Sequence, residues 1–449
     1  MENNQNNCIR NMMYGLNQLV ALDNGTMVPA INLDNAATTP PFQAVVKEIE
    51  CQMLQYGSIG RGKGQKSEHS TKIYAQGRDI VKDFVGANSN IYSVFYVNST
   101  TDGMNKLASA LIESDEDIVL TTRMEHHAND LPWRQRAKTL YAEIKADGRL
   151  CIVNLERHLI QQRGKIKYVT VTAASNVTGY VNDLHQIAKL AHRHGAKIIV
   201  DGAQIVAHRQ FCMLGQSPDE NIDFFVFSAH KMYSPFGGGA VVGLKEVLDA
   251  HIPQFYGGGM VEAVCDEQVR YLTVPDLYEA GSPNYPGVVG MLKSIELLKQ
   301  IGFDYIAAHE QRLLRKTIHT LQQLPNVVLY GDNENIADRV GIVTFNVRGI
   351  KPEAVANFLA GHAAIAVRHA AFCAHPYVRR LTMAPEDCGI ESCVAPQGMV
   401  RVSFGIYNND DDVDAFLAAL RKLLINERLN AFASRPAIAM KPNWPQDRG

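Results

Sequence analysis

The stretch Ile199-Val200-Asp201-Gly202-Ala203-Gln204 places a carboxylate and two small residues directly after an apolar, β-branched run. Thirty residues later (231 − 201 = 30), Phe227-Ser228-Ala229-His230-Lys231 repeats the pattern with a lysine, and the loop Gly237-Gly238-Gly239 follows. Each run predicts a buried strand. In open α/β sheets, ligands bind beyond the carboxyl ends of the strands, where these polar groups would lie. The two stretches therefore predict an amine and a carboxylate at one sheet edge.

The surrounding sequence alternates strand and helix patterns from about residue 90 to 245. Asp183 is a plausible N-cap for a helix that Gly195 closes. A strand, a helix and a strand of this length predict a right-handed parallel crossover, and several crossovers give an α/β sheet with helices on both faces. The predicted strands are Val94–Val97, Ile118–Leu120, Tyr168–Thr172, Ile198–Val200 and Phe224–Phe227.

The pattern changes after residue 290. A long helical region over about 290–324 precedes short strands near 341–346, 365–368 and 400–404, and a last amphipathic helix covers about 412–425. This predicts a smaller α+β domain. We therefore expect an N-terminal segment (1–30), a large α/β domain (31–290), a small C-terminal domain (291–430) and a loose tail (431–449).

Composition excludes several classes of function. The 449 residues carry a formal net charge of −2 with interspersed signs, which gives no electrostatic footprint for nucleic acid or an anionic membrane. No apolar run reaches the length of a membrane span, and the first residues lack the pattern of a secretory signal. Eight irregularly placed cysteines do not suggest a disulfide framework. The expected location is the cytoplasm.

A lysine beside a carboxylate in a cleft is the arrangement that pyridoxal phosphate (PLP) requires. The amine of Lys231 would form a Schiff base with the cofactor aldehyde. The carboxylate of Asp201 would keep the pyridine nitrogen protonated, so that the ring withdraws electrons. Spacing alone leaves open the alternative that Lys231 is a surface lysine after a strand.

Further motifs argue against a surface lysine. They lie between residues 33 and 408, in the same order as in a known family. The chain resembles the class V aminotransferase family of PLP-dependent enzymes and, within it, the cysteine desulfurases and selenocysteine lyases. The resemblance implies PLP-dependent transferase fold type I, with a mainly parallel sheet in the large domain. The matching segments are Leu33-Asp34-Asn35-Ala36-Ala37, Ser99-Thr100-Thr101-Asp102-Gly103, Glu125-His126-His127-Ala128-Asn129, Ser175-Asn176-Val177-Thr178-Gly179, Asp201-Gly202-Ala203-Gln204, Ser228-Ala229-His230-Lys231 and Glu279-Ala280-Gly281-Ser282-Pro283-Asn284.

The resemblance assigns roles around the cofactor ring. Lys231 corresponds to the Schiff-base lysine, which also moves protons at the substrate Cα. Asp201 would pair with the pyridinium nitrogen, and Gln204 would hydrogen-bond the ring hydroxyl. His126 would stack on the ring and assist proton transfer, whereas we expect its neighbour His127 to be structural.

The cofactor phosphate is expected at the start of a helix. Thr100 and Thr101 follow the strand Val94–Val97 and open a helix predicted to begin near Asp102, where free N–H groups and the helix dipole favour an anion. Helix capping is the alternative role for the two threonines. The resemblance adds three more phosphate contacts, Ser228, His230 and, from a second subunit, Ser282, and so it implies a homodimer.

The resemblance implies that Arg401 meets the substrate carboxylate and that Asn176 touches both this carboxylate and the ring oxygen of the cofactor. A guanidinium fork matches a carboxylate at two points, although either residue could instead be a structural partner. The resemblance extends the substrate contacts to Arg368, Asn35 and Ala36.

The segment from Ala366 to Pro376 resembles the active-site cysteine loop of the family, with Cys373 as the reactive thiol. In cysteine desulfurases this thiol attacks the sulfur of bound cysteine, alanine leaves, and a persulfide stays on the enzyme. Two features depart from the family. Ala370-Ala371-Phe372 replaces a glycine followed by small or polar residues, and Arg401 lies 28 positions after Cys373 (401 − 373 = 28), with Cys388 and Cys393 in the segment between them. Phe372 and this insert could cover the site.

The leading functional hypothesis is a desulfurase that converts L-cysteine to L-alanine and passes the sulfur from Cys373 to an acceptor protein, for iron–sulfur cluster assembly or another thio-cofactor. Another class V PLP enzyme is the alternative: an epimerase, a selenocysteine or other C–S lyase, or an aminotransferase. A non-enzymatic scaffold is disfavoured, because the set of Lys231, Asp201, His126 and Gln204 is intact. No metal is predicted, since the spacing of Cys373, His375, Cys388 and Cys393 matches no standard zinc pattern.

Overall fold

The computed structural model describes residues 2–60, 62–88, 90–235, 237–383 and 396–433. Cys388, Cys393 and the tail from residue 434 lie outside these ranges. The helices are α1 (Glu2–Met12), α2 (Gln43–Leu54), α3 (Gln65–Phe84), α4 (Thr100–Leu111), α5 (Leu131–Arg134), α6 (Ile152–Gln162), α7 (Leu184–Arg193), α8 (Lys245–Asp249), α9 (Tyr285–Ile301), α10 (Phe303–Gln322), α11 (Pro352–Ala363), α12 (His375–Thr382) and α13 (Asp410–Ala433). None of them is long and apolar enough to cross a bilayer.

The strands are β1 (Leu19–Ala21), β2 (Met27–Pro29), β3 (Ile31–Asn32), β4 (Tyr92–Val97), β5 (Ile118–Thr122), β6 (Lys138–Ala142), β7 (Ile166–Thr172), β8 (Lys197–Asp201), β9 (Phe224–Ser228), β10 (Gly239–Leu244), β11 (Val261–Val264), β12 (Val269–Tyr271), β13 (Val327–Tyr330), β14 (Ile342–Val347), β15 (Ile365–Ala366), β16 (Arg368–Ala370) and β17 (Met399–Ser403). The five strands predicted between residues 90 and 245 are confirmed as β4, β5, β7, β8 and β9.

A seven-stranded sheet with the order β4-β10-β9-β8-β7-β5-β6 forms the centre of the molecule. Strand β10 is antiparallel to both of its neighbours, and the remaining strands run parallel. The chain between Ser228 and Gly239 is too short for a helical crossover, so β10 must return antiparallel beside β9. The α/β class and the mainly parallel sheet are confirmed.

Helices pack on both faces of this sheet because both faces are apolar. Phe225 and Phe227 of β9 join one hydrophobic core, whereas Phe224 and Val226 join the core on the opposite face. This alternation follows from the two-residue period of a strand. A sheet buried on both sides presents its polar residues only at strand ends, and this confines the chemistry to one edge.

The predicted helical region over 290–324 consists of two helices. Gly302, with φ of +88°, separates α9 from α10. Helix α9 also crosses the predicted domain boundary at residue 290, and Val288 and Ile295, on either side of it, belong to the same core as the large sheet. One helix and one core therefore extend across residue 290, and the domain boundary that we expect there stays a prediction.

A second core surrounds an antiparallel sheet with the order β13-β14-β17-β16. The strand predicted near 365–368 is divided, because β15 pairs in parallel with β3, while β16 pairs with β17. These pairings hold the chain on both sides of Val367 and lead it from β16 into the loop that carries Cys373.

Candidate active site

A cavity of about 200 Å³ lies at the carboxyl ends of the parallel strands. It brings together most of the side chains that the sequence singled out, although they are far apart along the chain. Its lining includes Ala36, Thr100, Thr101, His126, Asn176, Asp201, Gln204, Ser228, His230, Lys231, Arg368, Phe372, Cys373 and Arg401.

Lys231 ends a single 3-10 turn, Ala229–Lys231, that directly follows β9. Burial lowers the pKa of its amine, and the nearby carboxylate of Asp201 opposes that change. Burial has this effect because a charged amine loses its hydration there. A lowered pKa increases the neutral, nucleophilic fraction of the amine, which is the form that reacts with an aldehyde.

Asp201 is the last residue of β8 and is buried. Its Oδ1 accepts a hydrogen bond of 2.9 Å from the backbone N–H of Ala203, and burial raises its pKa. Gln204 lies nearby, with Nε2 donating to the carbonyl of Ala36 at 2.8 Å. The buried Oε1 of Gln204 has no hydrogen-bond partner in the described part of the chain. A polar ligand in the cavity would satisfy that oxygen.

His126 follows β5 and is held by its own backbone. Its Nδ1 accepts from the N–H of Ala128 at 3.0 Å, and burial together with the charge on Lys231 lowers its pKa to about 3. The adjacent His127 does not line the cavity. Its backbone N–H donates to the carbonyl of Cys373 at 2.7 Å, and its ring lies 4.8 Å from that of His375.

The start of α4 faces the cavity through Thr100. The backbone N–H of Thr100 donates to Oγ of Ser228 at 2.7 Å, and its hydroxyl lies 2.8 Å from the same oxygen. The helix cap is Ser99, whose Oγ accepts from the N–H of Asp102, so α4 begins two residues earlier than predicted. The capping alternative is therefore wrong for Thr100 and Thr101, since Ser99 already fills that role.

Arg401 lies buried on β17. Its Nη1 donates to the carbonyl of Asn176 at 2.9 Å, and Nη2 donates to Oδ1 of Asp34 at 2.8 Å. Its Nε is buried and has no hydrogen-bond partner in the described residues. Arg368 is half-exposed and lies 3.7 Å from the other carboxylate oxygen of Asp34. Two cations therefore share one carboxylate at the cavity wall.

Two predicted residues do not reach the cavity. The side chain of Asn35 is buried and donates to the carbonyl of Ser403 at 2.9 Å and to Oδ1 of Asn408 at 3.1 Å. These bonds tie the segment of Asn35 to the end of β17 and the residues after it, and its contact with the substrate stays a prediction. Ser282 is exposed and lines two separate cavities of its own chain. Its predicted phosphate contact therefore requires a second subunit.

The Cys373 loop has an unusual backbone. Ala370, Phe372 and Cys373 have φ of +88°, +52° and +53°, in the left-handed region that non-glycine residues rarely adopt. Such strain persists where surrounding contacts hold it, and it concentrates at functional sites. Here Asn176 Nδ2 donates to the carbonyl of Phe372 at 2.7 Å. The thiol of Cys373 is exposed at the cavity mouth.

The chain matches the family model for aminotransferase class-V over residues 31–416. It belongs to the class V aminotransferase family. A probable cysteine desulfurase of Halalkalibacterium halodurans is 32% identical over 88% of this chain and 93% of its own length. A cysteine desulfurase of Klebsiella pneumoniae is also 32% identical, with the same coverage of both chains.

Solved structures agree with this membership. A cysteine desulfurase from Thermococcus onnurineus superposes with a TM-score of 0.79 at 30% identity, over 88% of this chain and 95% of the other. A cysteine desulfurase from Escherichia coli gives 0.77 at 25% identity, over 94% and 98%. These matches confirm fold type I and the prediction of an enzyme of this family.

A buried polar network surrounds Glu125, the neighbour of His126 in sequence, and no role was predicted for it. Oε1 of Glu125 accepts from Thr122 at 2.5 Å, and Oε2 accepts from Asn129 at 2.7 Å. Burial raises the pKa of Glu125 to about 8. Asn129 also accepts from Trp133 at 3.0 Å, which links the network to the following helix. The signal was present, because Glu125 and Asn129 flank the histidines in a motif shared with the class V aminotransferases.

The described residues contain no cluster of three or more His, Cys, Asp or Glu side chains that could hold a metal ion. The question of a zinc site at Cys388 and Cys393 lies outside the described ranges.

Proposed function

We propose that this chain is a PLP-dependent cysteine desulfurase that converts L-cysteine to L-alanine and keeps the sulfur on Cys373 as a persulfide. One observation carries the proposal: a small cavity joins the half-buried amine of Lys231, a buried carboxylate, an arginine with an unpaired donor and an exposed cysteine. The relatives named as cysteine desulfurases support it.

The cavity fits pyridoxal phosphate. The unpartnered Oε1 of Gln204 offers a hydrogen bond to a polar ring substituent, and buried Asp201 suits a positively charged ring nitrogen. The start of α4, with Thr100 and Thr101, suits a phosphate, because helix N-termini present free N–H groups and a positive dipole end. Once bound, the cofactor supplies an electron-withdrawing ring that stabilises negative charge at the substrate Cα.

The chain supplies covalent anchoring and proton transfer. Lys231 would hold the aldehyde of the cofactor through its neutral amine and would move the proton at the substrate Cα. His126 would lie against the ring as a neutral imidazole. Ser228 and His230 would contact the phosphate, together with Ser282 of a second copy of this chain. We therefore propose a homodimer, and a solution mass equal to one chain would contradict it.

Arg401 and Asn176 bind the substrate carboxylate, with Arg368 and the backbone at Ala36 beside them. A carboxylate would satisfy the unpartnered Nε of Arg401, because a guanidinium offers two parallel donors to a carboxylate. This fixes the amino acid with its amino group toward Lys231. The arrangement selects α-amino acids, since an amine without a carboxylate leaves a buried donor unpaired.

Cys373 removes the sulfur. Its thiolate attacks the sulfur of the bound cysteine, the C–S bond breaks as the S–S bond forms, and a proton completes the methyl group of alanine. The sum is L-cysteine and enzyme thiol giving L-alanine and enzyme persulfide, so no external oxidant or reductant is needed. Because Cys373 is exposed, an acceptor protein can reach the persulfide.

The free cysteines in the described residues favour a reducing compartment such as the cytoplasm, which cell fractionation would test.

The deciding experiment measures alanine and sulfide released from L-cysteine in the presence of a thiol reductant. The wild-type protein should release both, and Cys373→Ala should release neither. Cys51→Ala is the matched control, because Cys51 is also a free, exposed cysteine but lies on α2 away from the cavity. Sulfide release that survives in Cys373→Ala would instead favour a C–S lyase, and turnover without any sulfide release would favour an epimerase or aminotransferase.

A further inference from the structure

The ring of Phe372 covers one face of the Arg401 guanidinium, with Cζ of Arg401 4.9 Å from the ring centroid. Both side chains are buried. A guanidinium is planar, so a ring on its face leaves the N–H groups at its edge free to donate in the plane. Asn176 and Asp34 occupy Nη1 and Nη2, whereas Nε has no partner in the described residues. Nε is therefore the guanidinium donor that the contacts of the described residues leave unpaired.

Phe372 also contacts the second residue that we assign to the carboxylate. Its carbonyl accepts from Nδ2 of Asn176 at 2.7 Å. Phe372 thus touches Arg401 through its ring and Asn176 through its backbone, and it directly precedes Cys373. Its φ of +52° is unfavourable for an L-residue, so these contacts hold a conformation that the chain would otherwise leave.

We propose that Phe372 is a positioning residue for the substrate carboxylate, and that the strength of amino-acid binding depends on its aromatic face rather than on its volume. This inference rests on the proposed function and specifies how that site binds its substrate. The negative face of the ring stabilises the buried cation in place of water, and it fixes the plane in which Arg401 can donate. Burial lowers the pKa of Arg401, and the carboxylate of Asp34 opposes that change. A ring face against the guanidinium also favours its charged form.

Substitutions at Phe372 can separate the aromatic face from the volume. Phe372→Tyr keeps an aromatic ring face, whereas Phe372→Leu fills much of the same space but has no aromatic ring. Tyr and Leu are both unbranched at Cβ and both meet the same restriction at positive φ, so the backbone strain is matched. A difference between them therefore reports on the ring.

The test measures two quantities on the holoenzyme of each variant. The first is kcat and KM for L-cysteine, and the second is the affinity for L-alanine by calorimetry, since L-alanine has the carboxylate but no thiol. Phe372→Leu should raise KM and weaken L-alanine binding by about 3- to 30-fold, with kcat within about two-fold of wild type. Phe372→Tyr should remain within about two-fold of wild type in both quantities.

The proposal is overturned if Phe372→Leu binds L-alanine like the wild type, or if Phe372→Tyr loses as much affinity as Phe372→Leu. Phe372→Met, also unbranched and without a ring face, replaces the leucine variant if that protein does not fold. If neither non-aromatic variant folds, the ring is structural and the proposal fails. A different result would refute the proposed function alone. In that case the Phe372 variants differ in L-alanine affinity as predicted, but the wild-type protein forms no alanine from L-cysteine.

Discussion

The Nδ1 atom of His126 accepts a hydrogen bond of 3.0 Å from the backbone N–H of Ala128. A backbone N–H can only donate, so Nδ1 carries no proton, and the proton of the neutral ring is on Nε2. Burial is the main cause that lowers the pKa of the ring, to about 3, and it keeps the ring neutral. His126 therefore presents one fixed tautomer throughout the physiological pH range.

Replacing His126 with phenylalanine should separate stacking from proton transfer. A phenyl ring can still cover the cofactor, but it has no Nε2–H to donate. We expect His126→Phe to retain the cofactor and to lose about 10²-fold in kcat, as measured by alanine formation from L-cysteine. His319→Phe is the control, because His319 is exposed near the end of α10. An unchanged kcat in His126→Phe would remove His126 from proton transfer.

The same pKa predicts the pH dependence of the wild-type enzyme. Because the pKa of His126 is about 3, this ring does not titrate between about pH 5 and pH 9. Any inflection in kcat over that range should therefore persist in His126→Phe. The wild-type kcat could instead show an inflection near the ordinary pKa of histidine that is absent in His126→Phe. That result would contradict the claim that the His126 ring stays neutral.

Asp201 should affect the rate more than it affects folding. In Asp201→Asn, the amide oxygen can still accept from the N–H of Ala203, so the local backbone keeps its hydrogen bond. A neutral amide cannot form an ion pair with a positively charged ring nitrogen, and hydrogen bonds to a charged acceptor are roughly twice as strong as those to a neutral one. We expect kcat to fall by at least about 10-fold with bound cofactor retained, measured by turnover and by cofactor content. A turnover equal to wild type would place the ring nitrogen elsewhere.

Glu125 should make stability depend on pH. Burial raises its pKa from 4.5 to about 8, so between these values the folded protein holds a proton that the unfolded chain releases. This contribution to the free energy of unfolding is complete below about pH 4.5 and is lost as the pH rises toward 8. Glu125→Gln has no such proton, so the stability advantage of the wild type over Glu125→Gln should shrink over this range.

Urea unfolding of both proteins between about pH 5 and pH 8 measures this difference, which should change by at most about 1.4 kcal/mol per pH unit. Glu267→Gln provides the control, because Glu267 is exposed and its replacement should leave the pH dependence unchanged. A constant difference between wild type and Glu125→Gln would show that the carboxyl is already ionised at pH 5.

The sequence predicted the sheet well because its signal is local. Runs such as Ile199-Val200 and Phe224–Phe227 are apolar and rich in β-branched or aromatic residues, and a strand buried on both faces requires this composition. Polar residues after those runs had to lie at the strand ends. The cavity that joins Lys231 and Asp201 follows from that geometry.

Other features depend on contacts between distant segments and were not predictable. The direction of the Asn35 side chain depends on Ser403 and Asn408, more than 300 residues away. The stacking of Phe372 on Arg401 requires the positive φ of the loop, for which the sequence offers no glycine as a signal. The break at Gly302 was readable in principle, because glycine commonly ends a helix.

Reductive trapping tests the central claim most directly. The protein is incubated with pyridoxal phosphate, reduced with borohydride and digested, and mass spectrometry then locates the modified lysine. The structure predicts a reduced cofactor adduct on Lys231, and its loss in Lys231→Arg. An adduct confined to another lysine, or a cofactor that binds without any adduct on Lys231, would contradict the assignment of this amine as the cofactor anchor.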